Sequence, residues 1–332
     1  MPNIDESCPD CAASMNNEPD NAQAPGAQLA DAAARVRRLI ESPSYRQADE
    51  DHAFLQQPEM CGVRLQLDYW KTEQTLQQHG IEHTVVVYGS TRLVAPEDAA
   101  RRLESARAAL ASRPDDAHSR QAVRVAERLA ASSGYYLVAR AFGQRVGHLS
   151  ANGKFAGLAI VTGGGPGIME AANRGAYETG AASIGLNISL PREQVPNPYV
   201  SPDLCFKFHY FAIRKLHLLE RAKAAVFFPG GYGTFDELFE VLTLLQTGKI
   251  SPLPVILVGE AYWRRAVNFD FLVDEGMIAP SDAALFRFAE TADDICEALA
   301  HWYRRAARKE QNEPNKPNKP SGPKEPNHAE PV

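Results

Sequence analysis

The sequence predicts an α/β fold in which a doubly wound parallel sheet follows an N-terminal helical extension. Short, continuously apolar runs rich in β-branched residues recur from residue 83 onward, and segments of helix length separate them. Strands that are apolar along their whole length are buried on both faces, as in parallel sheets covered by helices. A hydrophobic content of 44% over 332 residues is ample for such a core.

The composition changes along the chain and predicts four regions. Residues 1–28 are rich in Asn, Asp, Pro and Ala, and residues 309–332 repeat Asn-Lys-Pro and Glu-Pro-Asn, so we expect two disordered tails. Residues 29–80 have apolar side chains at helical spacing and are expected to form the helical extension. Residues 81–308 then form the main domain.

Strands and helices alternate within the main domain. Five strands are expected, at Thr84–Tyr88, Gly157–Val161, Ala182–Leu186, Ala224–Phe228 and Pro254–Val258. Between the first two, helices are expected over Pro96–Ala131, with a break near Pro114, and over Gly134–Leu149. Ligands of such sheets bind at the carboxyl ends of the strands, so the loops at those ends are the candidate site.

Charge and cysteine content exclude several classes of function. The formal net charge is −6 and basic residues are dispersed, which disfavours a nucleic-acid surface. No apolar run is long enough for a membrane span, and the N-terminus lacks a secretion signal. Cys8 and Cys11 have no second pair to complete a metal site, and the other three cysteines are widely separated. We therefore expect a cytoplasmic protein with reduced thiols, no bound metal and no membrane partner.

Glycine-rich loops follow three of the predicted strands, at Gly89–Arg92, Gly163–Gly167 and Pro229–Thr234. Glycine lets the backbone approach an oxyanion, and the free N–H groups of a following helix favour phosphate. Alternatively, the glycines serve only tight turns. The dinucleotide fingerprint fails because Ile168 or Glu170 stands where its third glycine belongs, and no Gly-Lys-Ser/Thr follows. A mononucleotide or sugar phosphate therefore suits these loops better than NAD or ATP.

Acid and base candidates lie near these loops. Thr234 and Glu237 have capping-box spacing, but a carboxylate held ionised by the helix dipole in that first turn could also stabilise an oxocarbenium-like transition state. Arg214 stands at the entrance of an expected helix, where it could contact phosphate or a carboxylate, or be an ordinary surface residue. Glu170 and Arg174 are expected to form an ion pair.

These residues resemble a known family. Pro229–Glu237 resembles the PGGxGTxxE signature of the LONELY GUY (LOG) phosphoribohydrolases, and Arg214 and Lys215 precede it at the required spacing. Gly163–Met169 is similar to the family's GGG-x-x-G-[LIM]-M loop. The resemblance implies a Rossmann-like homodimer or higher homo-oligomer, without redox cofactor. It also implies hydrolysis of a nucleoside 5′-monophosphate, a cytokinin riboside monophosphate or AMP, to free base and ribose 5-phosphate.

The resemblance also assigns residues. Arg214 and Glu237 are the implied catalytic pair, accompanied by Lys215. The expected substrate-binding residues are Ser90, Gly164, Gly165, Gly167, Lys215, Gly230, Gly231, Gly233 and Thr234. Members are often labelled lysine decarboxylases, but no lysine here has a convincing pyridoxal-phosphate context, so no cofactor is expected.

The chain also departs from the compact plant-type pattern. His217 stands where an acidic residue is usual, and the helical segment Pro96–Ser150 enlarges the protein beyond the compact core, so base specificity is open. Two alternatives to an enzyme of this family are a non-catalytic binding module for a nucleotide or other phosphate ligand and, more weakly, an NAD-linked oxidoreductase.

Overall fold

The computed structural model describes residues 25–151, 157–189 and 195–312. The strands of this part of the chain are β1 (His83–Tyr88), β2 (Leu158–Thr162), β3 (Ser183–Ile188), β4 (Cys205–Phe208), β5 (Ala222–Phe227), β6 (Val255–Val258) and β7 (Phe286–Ala289). Its α-helices are α1 (Pro25–Ile40), α2 (His52–Leu55), α3 (Cys61–Gln78), α4 (Pro96–Ser112), α5 (Ala117–Ala131), α6 (Gly134–Ala151), α7 (Ile168–Glu178), α8 (Phe211–Glu220), α9 (Tyr232–Gln246), α10 (Glu260–Ala266), α11 (Phe269–Asp274) and α12 (Ala292–Asn312). Short 3-10 helices lie at Pro43–Tyr45, Pro58–Met60 and Pro202–Leu204.

All the described strands form one parallel sheet in the order β4-β3-β2-β1-β5-β6-β7. The chain therefore builds outward from β1 in one direction as far as β4, then returns to the other side of β1 and builds outward again from β5. Such a sheet is doubly wound, and the loops that follow β1 and β5 flank the point where the winding reverses. The predicted fold class is confirmed.

The five predicted strands are present, with boundaries that differ by one or two residues, while β4 and β7 were not predicted. Both missed strands lie at the edges of the sheet. Along Cys205–Phe208 exposed and buried residues alternate, and Phe286–Ala289 is only partly buried. Neither therefore has the continuous apolar run that reveals a central strand.

The core consists of two apolar layers, one on each face of the sheet, because successive residues of a strand point to opposite faces. On β1, Val86 belongs to the layer that includes Leu238 of α9 and Trp263 of α10. Its neighbour Val85 belongs to the layer that includes Phe142 of α6. Helices therefore cover both faces, as the all-apolar strands indicate.

The segment between β1 and β2 is helical, as expected, and the break near Pro114 separates α4 from α5. The carboxylate of Asp116 caps α5 by accepting hydrogen bonds from the N–H groups of His118 and Ser119, at 3.2 and 2.9 Å. An ion pair of 3.0 Å between Arg107 and Glu127 joins the two helices. We call α4 and α5 the helical hairpin.

The ends of the chain contain more helix than the sequence predicts, because α1 begins at Pro25 and α12 extends to Asn312. The rest of the two predicted tails, and the Cys8–Cys11 pair, lie outside the described residues. The described residues up to Cys61 form one compact unit, and those from Gly62 onward form another. The sheet and its helices belong to the second unit.

No helix in the described ranges combines the length and the apolar character that crossing a bilayer requires.

The packing of α6 against α7 depends on two glycines. A Cβ atom at Gly143 would clash with the carbonyl oxygen of Ala172, and one at Gly175 would clash with that of Arg140. The absence of side chains therefore lets the two helix backbones approach closely beside the apolar layer that includes Phe142 and Ala172.

We expect Gly175→Ala to destabilise the protein by about 2 kcal/mol, because overpacking outweighs the gain in helix propensity. Urea unfolding measures the difference. Gly134→Ala is the matched control, since a Cβ atom at this first residue of α6 meets open space. Equal stability of the two variants would show that α6 and α7 can separate without loss.

Candidate active site

A cleft of about 1150 Å³ lies at the carboxyl ends of the strands. The loop after β1 contributes Gly89–Leu93, and the loop after β5 contributes Pro229–Gly231. Gly163 after β2, residues of α8 and α9, and the α5–α6 region complete its walls. The cleft thus occupies the point of reversal between β1 and β5, where doubly wound sheets bind ligands.

Backbone hydrogen bonds join the three glycine-rich loops into one unit. The N–H of Ser90 donates to the carbonyl oxygen of Pro229 at 3.1 Å, and the carbonyl of Ser90 accepts from the N–H of Ile168 at 3.1 Å. The loop after β1 therefore lies between the other two and fixes both. Glycine is required at Gly89, where a Cβ atom would collide with the side chain of Ile168.

The structure brings Arg214 and Glu237 together in this cleft. Nη1 of Arg214 lies 3.3 Å from Oε1 of Glu237, and the two side chains are only 11% and 13% exposed. Nε of Arg214 donates to the carbonyl oxygen of Leu186 at 2.7 Å, which orients the guanidinium. A side chain at Gly163 would occupy the position of the Arg214 Nη2 group. The pair therefore depends on the end of β3 and on the first glycine of the second loop.

Burial gives Glu237 unusual acid–base properties. Loss of solvent raises the pKa of this carboxyl from 4.5 to about 7, even though the positive charge of Arg214 lowers it. A group that titrates near pH 7 can accept or release a proton under neutral conditions. Expecting the helix dipole to hold this carboxylate ionised in the first turn was wrong, because α9 begins at Tyr232 and Glu237 lies in its second turn.

The capping box expected for Thr234 and Glu237 is not formed. The N-cap of α9 is Gly231, which has no side chain, and Thr234 lies inside the helix. A Cβ atom on Gly230 would clash with the Thr234 side chain, so the threonine packs directly over the loop. The helix begins earlier than the capping-box spacing suggested. The backbone is extended only as far as Gly231, and α9 starts at the next residue, Tyr232.

The N-terminus of α9 is open toward the cleft. Phe235 donates the first backbone hydrogen bond of this helix, to the carbonyl oxygen of Gly231. In the described part of the chain, the preceding N–H groups of Tyr232, Gly233 and Thr234 have no acceptor. Because these donors line the cleft together with Gly230 and Gly231, an anionic ligand can be bound there.

Three glycines expected to bind substrate do not line the cleft. Gly164 and Gly167 have φ angles of +72° and +75°, and side chains there would collide with Asn187 and with the backbone of Ser90. The carbonyl oxygen of Gly165 accepts a hydrogen bond of 3.0 Å from Asn197 Nδ2. The first N–H of α7 is already bonded to Ser90. In the structure these three residues therefore serve the tight turn, which was the alternative interpretation.

Lys215 also lies outside the cleft, although it follows Arg214 directly. Its Nζ is 2.7 Å from Asp236 and 3.3 Å from Glu240, on the outer side of α9. Adjacent helical residues project in directions about 100° apart, so only one of the two can face the cleft. Ser90, Gly230, Gly231, Gly233 and Thr234 do line it, as expected.

Several cleft residues were not predicted. Gly163 and Met169 represent the second loop, while Tyr88 and Tyr262 contribute aromatic rings. The Tyr262 hydroxyl donates to the carbonyl oxygen of Gly230 at 2.5 Å, which supports the third loop. Further residues come from the loop after β1 and from the α5–α6 region: Arg92, Arg128, Leu129, Ser132 and Tyr135. Of these, only Arg92 adjoins a glycine motif that could have revealed it.

The ion pair expected between Glu170 and Arg174 does not form. Glu170 accepts a hydrogen bond of 3.0 Å from the hydroxyl of Tyr136. Arg174 instead pairs with Glu178, one turn further along α7, at 2.9 Å. Arg174 is four residues from both Glu170 and Glu178, so either could pair with it. Tyr136 of α6 bonds to Glu170, and Arg174 pairs with Glu178.

His217 is buried and packs against Tyr69.

Comparison with known proteins agrees with this arrangement. A family model described as "Possible lysine decarboxylase" matches residues 169–299. A probable cytokinin riboside 5′-monophosphate phosphoribohydrolase from Oryza sativa subsp. japonica is 30% identical over 159 residues, which are 44% of this chain and 70% of that protein. A cytokinin riboside 5′-monophosphate phosphoribohydrolase from Arabidopsis thaliana is 30% identical over 158 residues, or 45% of this chain and 72% of the relative.

The comparison with solved structures includes a molybdenum cofactor binding protein from Rippkaea orientalis. It is 20% identical, has a TM-score of 0.36, and the match covers 51% of this chain and 88% of that chain.

The sheet and its cleft define a Rossmann-like α/β protein that has a buried acid at its ligand site. The chain belongs to the LOG family, whose curated relatives are named phosphoribohydrolases and are therefore hydrolases. The resemblance to this family is confirmed, and the roles assigned to Arg214 and Glu237 stay predictions.

We expect the stability of Glu237→Gln relative to the parent to increase by about 2.5 kcal/mol between pH 5 and pH 8, in addition to a pH-independent loss from leaving Arg214 without its partner. The folded pKa of about 7 exceeds the value of 4.5 for a free glutamate, so the folded state retains a proton that the unfolded chain releases. That stabilisation is complete below pH 4.5 and is lost as the pH rises through 7.

Urea unfolding of parent and variant at pH 5 and pH 8 measures this difference, which should grow between the two pH values. Glu240→Gln, one turn further along α9 and more exposed, is the control and should show no comparable growth. A difference in stability that stays constant with pH would mean that burial does not raise the pKa of Glu237.

Proposed function

We propose that the protein hydrolyses the N-glycosidic bond of a nucleoside 5′-monophosphate, a cytokinin riboside 5′-monophosphate or AMP, to give the free base and ribose 5-phosphate. The observation that carries this proposal is the buried pair of Arg214 and Glu237 beside the open N-terminus of α9. Cleavage at C1′ of a ribose phosphate requires an anion site and an acid–base group in one cleft, and free N–H donors beside a buried carboxyl support this assignment.

In this proposal the 5′-phosphate binds at the N-terminus of α9. Its oxygens accept from the free N–H groups of Tyr232, Gly233 and Thr234, and the positive end of the helix dipole favours the bound charge. The ribose then extends from the loop toward Glu237 in the second turn of the same helix. Binding the phosphate thereby fixes the distance of C1′ from the carboxylate.

Ionised Glu237 stabilises the positive charge that develops on the ribose as the bond from C1′ to the base breaks. The same carboxylate orients water, which adds its oxygen to C1′, and the departing base acquires a proton. Arg214 holds the carboxylate in place and moderates the rise of its pKa. Because the pKa of Glu237 is about 7, the rate should increase with pH through neutrality.

We expect the purified protein to release free base and ribose 5-phosphate from AMP or from isopentenyladenosine 5′-monophosphate. Glu237→Gln should lower kcat at least ~100-fold because the neutral amide cannot stabilise the developing charge. Arg214→Lys should lower it at least ~10-fold because an ammonium group cannot reproduce the two directed contacts of the guanidinium. Chromatographic detection of the base measures both effects.

Glu240→Gln serves as the matched carboxylate control and should retain turnover, and thermal unfolding checks that every variant is folded. Undiminished turnover in both Glu237→Gln and Arg214→Lys would remove the assignment of the site. Calorimetric binding of AMP without release of base in the parent protein would indicate a non-catalytic nucleotide-binding module instead.

A further inference from the structure

The helical hairpin and the start of α6 form one wall of the cleft. Arg128, Leu129 and Ser132 come from the end of α5 and the turn after it, and Tyr135 comes from the first turn of α6. The hydroxyl of Tyr135 packs against the backbone at Gly259, where a Cβ atom would collide with it. The wall is therefore fixed against the tip of β6.

The cleft is open to solvent and measures about 1150 Å³, toward the upper end of ligand-binding clefts. The catalytic pair comes from α8 and α9, whereas Arg128 and Leu129 come from α5. The reaction as proposed above assigns no role to these residues of α5.

The charges that line the cleft are unbalanced. Arg214 is neutralised by Glu237, which is the one acidic side chain among the lining residues of the described chain. Arg92 and Arg128 also line the cleft, and within the described ranges neither has a carboxylate within ion-pair distance. Neighbouring arginines do have partners, since Arg107 pairs with Glu127 and Arg101 pairs with Asp98. Both residues are solvent-exposed, and because they line one cleft without a carboxylate partner, their guanidinium groups can bind a second anion there.

We propose that Arg92 and Arg128 form a second anion subsite, which takes a second phosphate group of the substrate. This rests on the proposed function, because the first phosphate is assigned there to the N-terminus of α9. The preferred ligand then carries a second phosphate group besides the one bound at α9, either in tandem as a 5′-diphosphate or separately as a 3′,5′-bisphosphate, and the 5′-monophosphates of the proposed function fill the first site alone. A planar guanidinium donates two parallel hydrogen bonds to phosphate oxygens, which makes arginine suited to this role.

The position of the two arginines also connects substrate binding to the helical hairpin. Arg92 belongs to the loop after β1, and its N–H donates to Ser90 Oγ at 3.1 Å, which holds its backbone in this loop. Arg128 lies in the last turn of α5 and lines the same cleft. A phosphate bound by both side chains would connect the loop after β1 to α5.

Calorimetry with AMP, ADP and adenosine 3′,5′-bisphosphate tests the subsite without reference to catalysis. The parent protein should bind at least one of the two doubly phosphorylated compounds about tenfold more tightly than AMP, a difference of about 1.4 kcal/mol. The double variant Arg92→Ala/Arg128→Ala should bind all three compounds with similar affinity. The compound that loses most affinity identifies the position of the second phosphate.

Arg124→Ala is the matched control, because Arg124 lies one turn earlier on α5, hydrogen bonds to Gln121 at 3.2 Å and does not line the cleft. It should retain the preference for the second phosphate. Two results would overturn the subsite: equal affinity of the parent for all three compounds, or an equal loss of affinity for AMP and the others in the double variant. The latter would mean that the arginines hold the 5′-phosphate itself.

The outcomes separate this subsite from the hydrolytic function. Release of base from AMP without any preference for a second phosphate would support hydrolysis and refute the subsite. A preference in binding without release of base from any of the three compounds would support the subsite and refute hydrolysis.

Discussion

The buried contact between Arg214 and Glu237 is the interaction on which the rest of the site depends. Burying two charges is costly, and removing either partner would leave the other without compensation. The contact forms only because the carbonyl of Leu186 orients the guanidinium and Gly163 leaves space for it. The contact therefore links β2, β3 and α8 to α9, which follows β5 on the other side of β1.

The order of the strands explains how residues so far apart in sequence meet. Because β1 is adjacent to both β2 and β5, the three glycine-rich loops emerge side by side at one edge. Ser90 then bonds to both neighbouring loops through its backbone. Among the described residues the N–H groups of Tyr232, Gly233 and Thr234 at the start of α9 have no acceptor, whereas the first donor of α7 bonds to Ser90 and holds the loops together. Similar loops thus have different tasks: one is available to a ligand and one supports the framework.

Local patterns in the sequence were sufficient for the central strands, for the loops and for the residues that resemble the family. They were insufficient where the outcome depends on neighbours distant in sequence. Lys215 and Arg214 are adjacent, but the rotation of the helix decides which one faces the cleft. The pKa of Glu237 depends on burial by several elements rather than on its distance from the helix end. Thr234 and Glu237 have capping-box spacing, yet α9 begins at Tyr232, directly after Gly231, so Thr234 lies inside the helix and does not cap it.

The division of the cleft between two parts of the chain bears on how its specificity is determined. The family model spans residues 169–299, which include Arg214 and Glu237 but not the helical hairpin. Chemistry at C1′ demands one geometry, so the elements that hold the pair are tightly constrained by buried contacts. Among the described residues, no hydrogen bond or ion pair joins the hairpin to Arg214 or Glu237. In the proposed reaction, residues of α5 can therefore change what the cleft admits without disturbing the carboxylate.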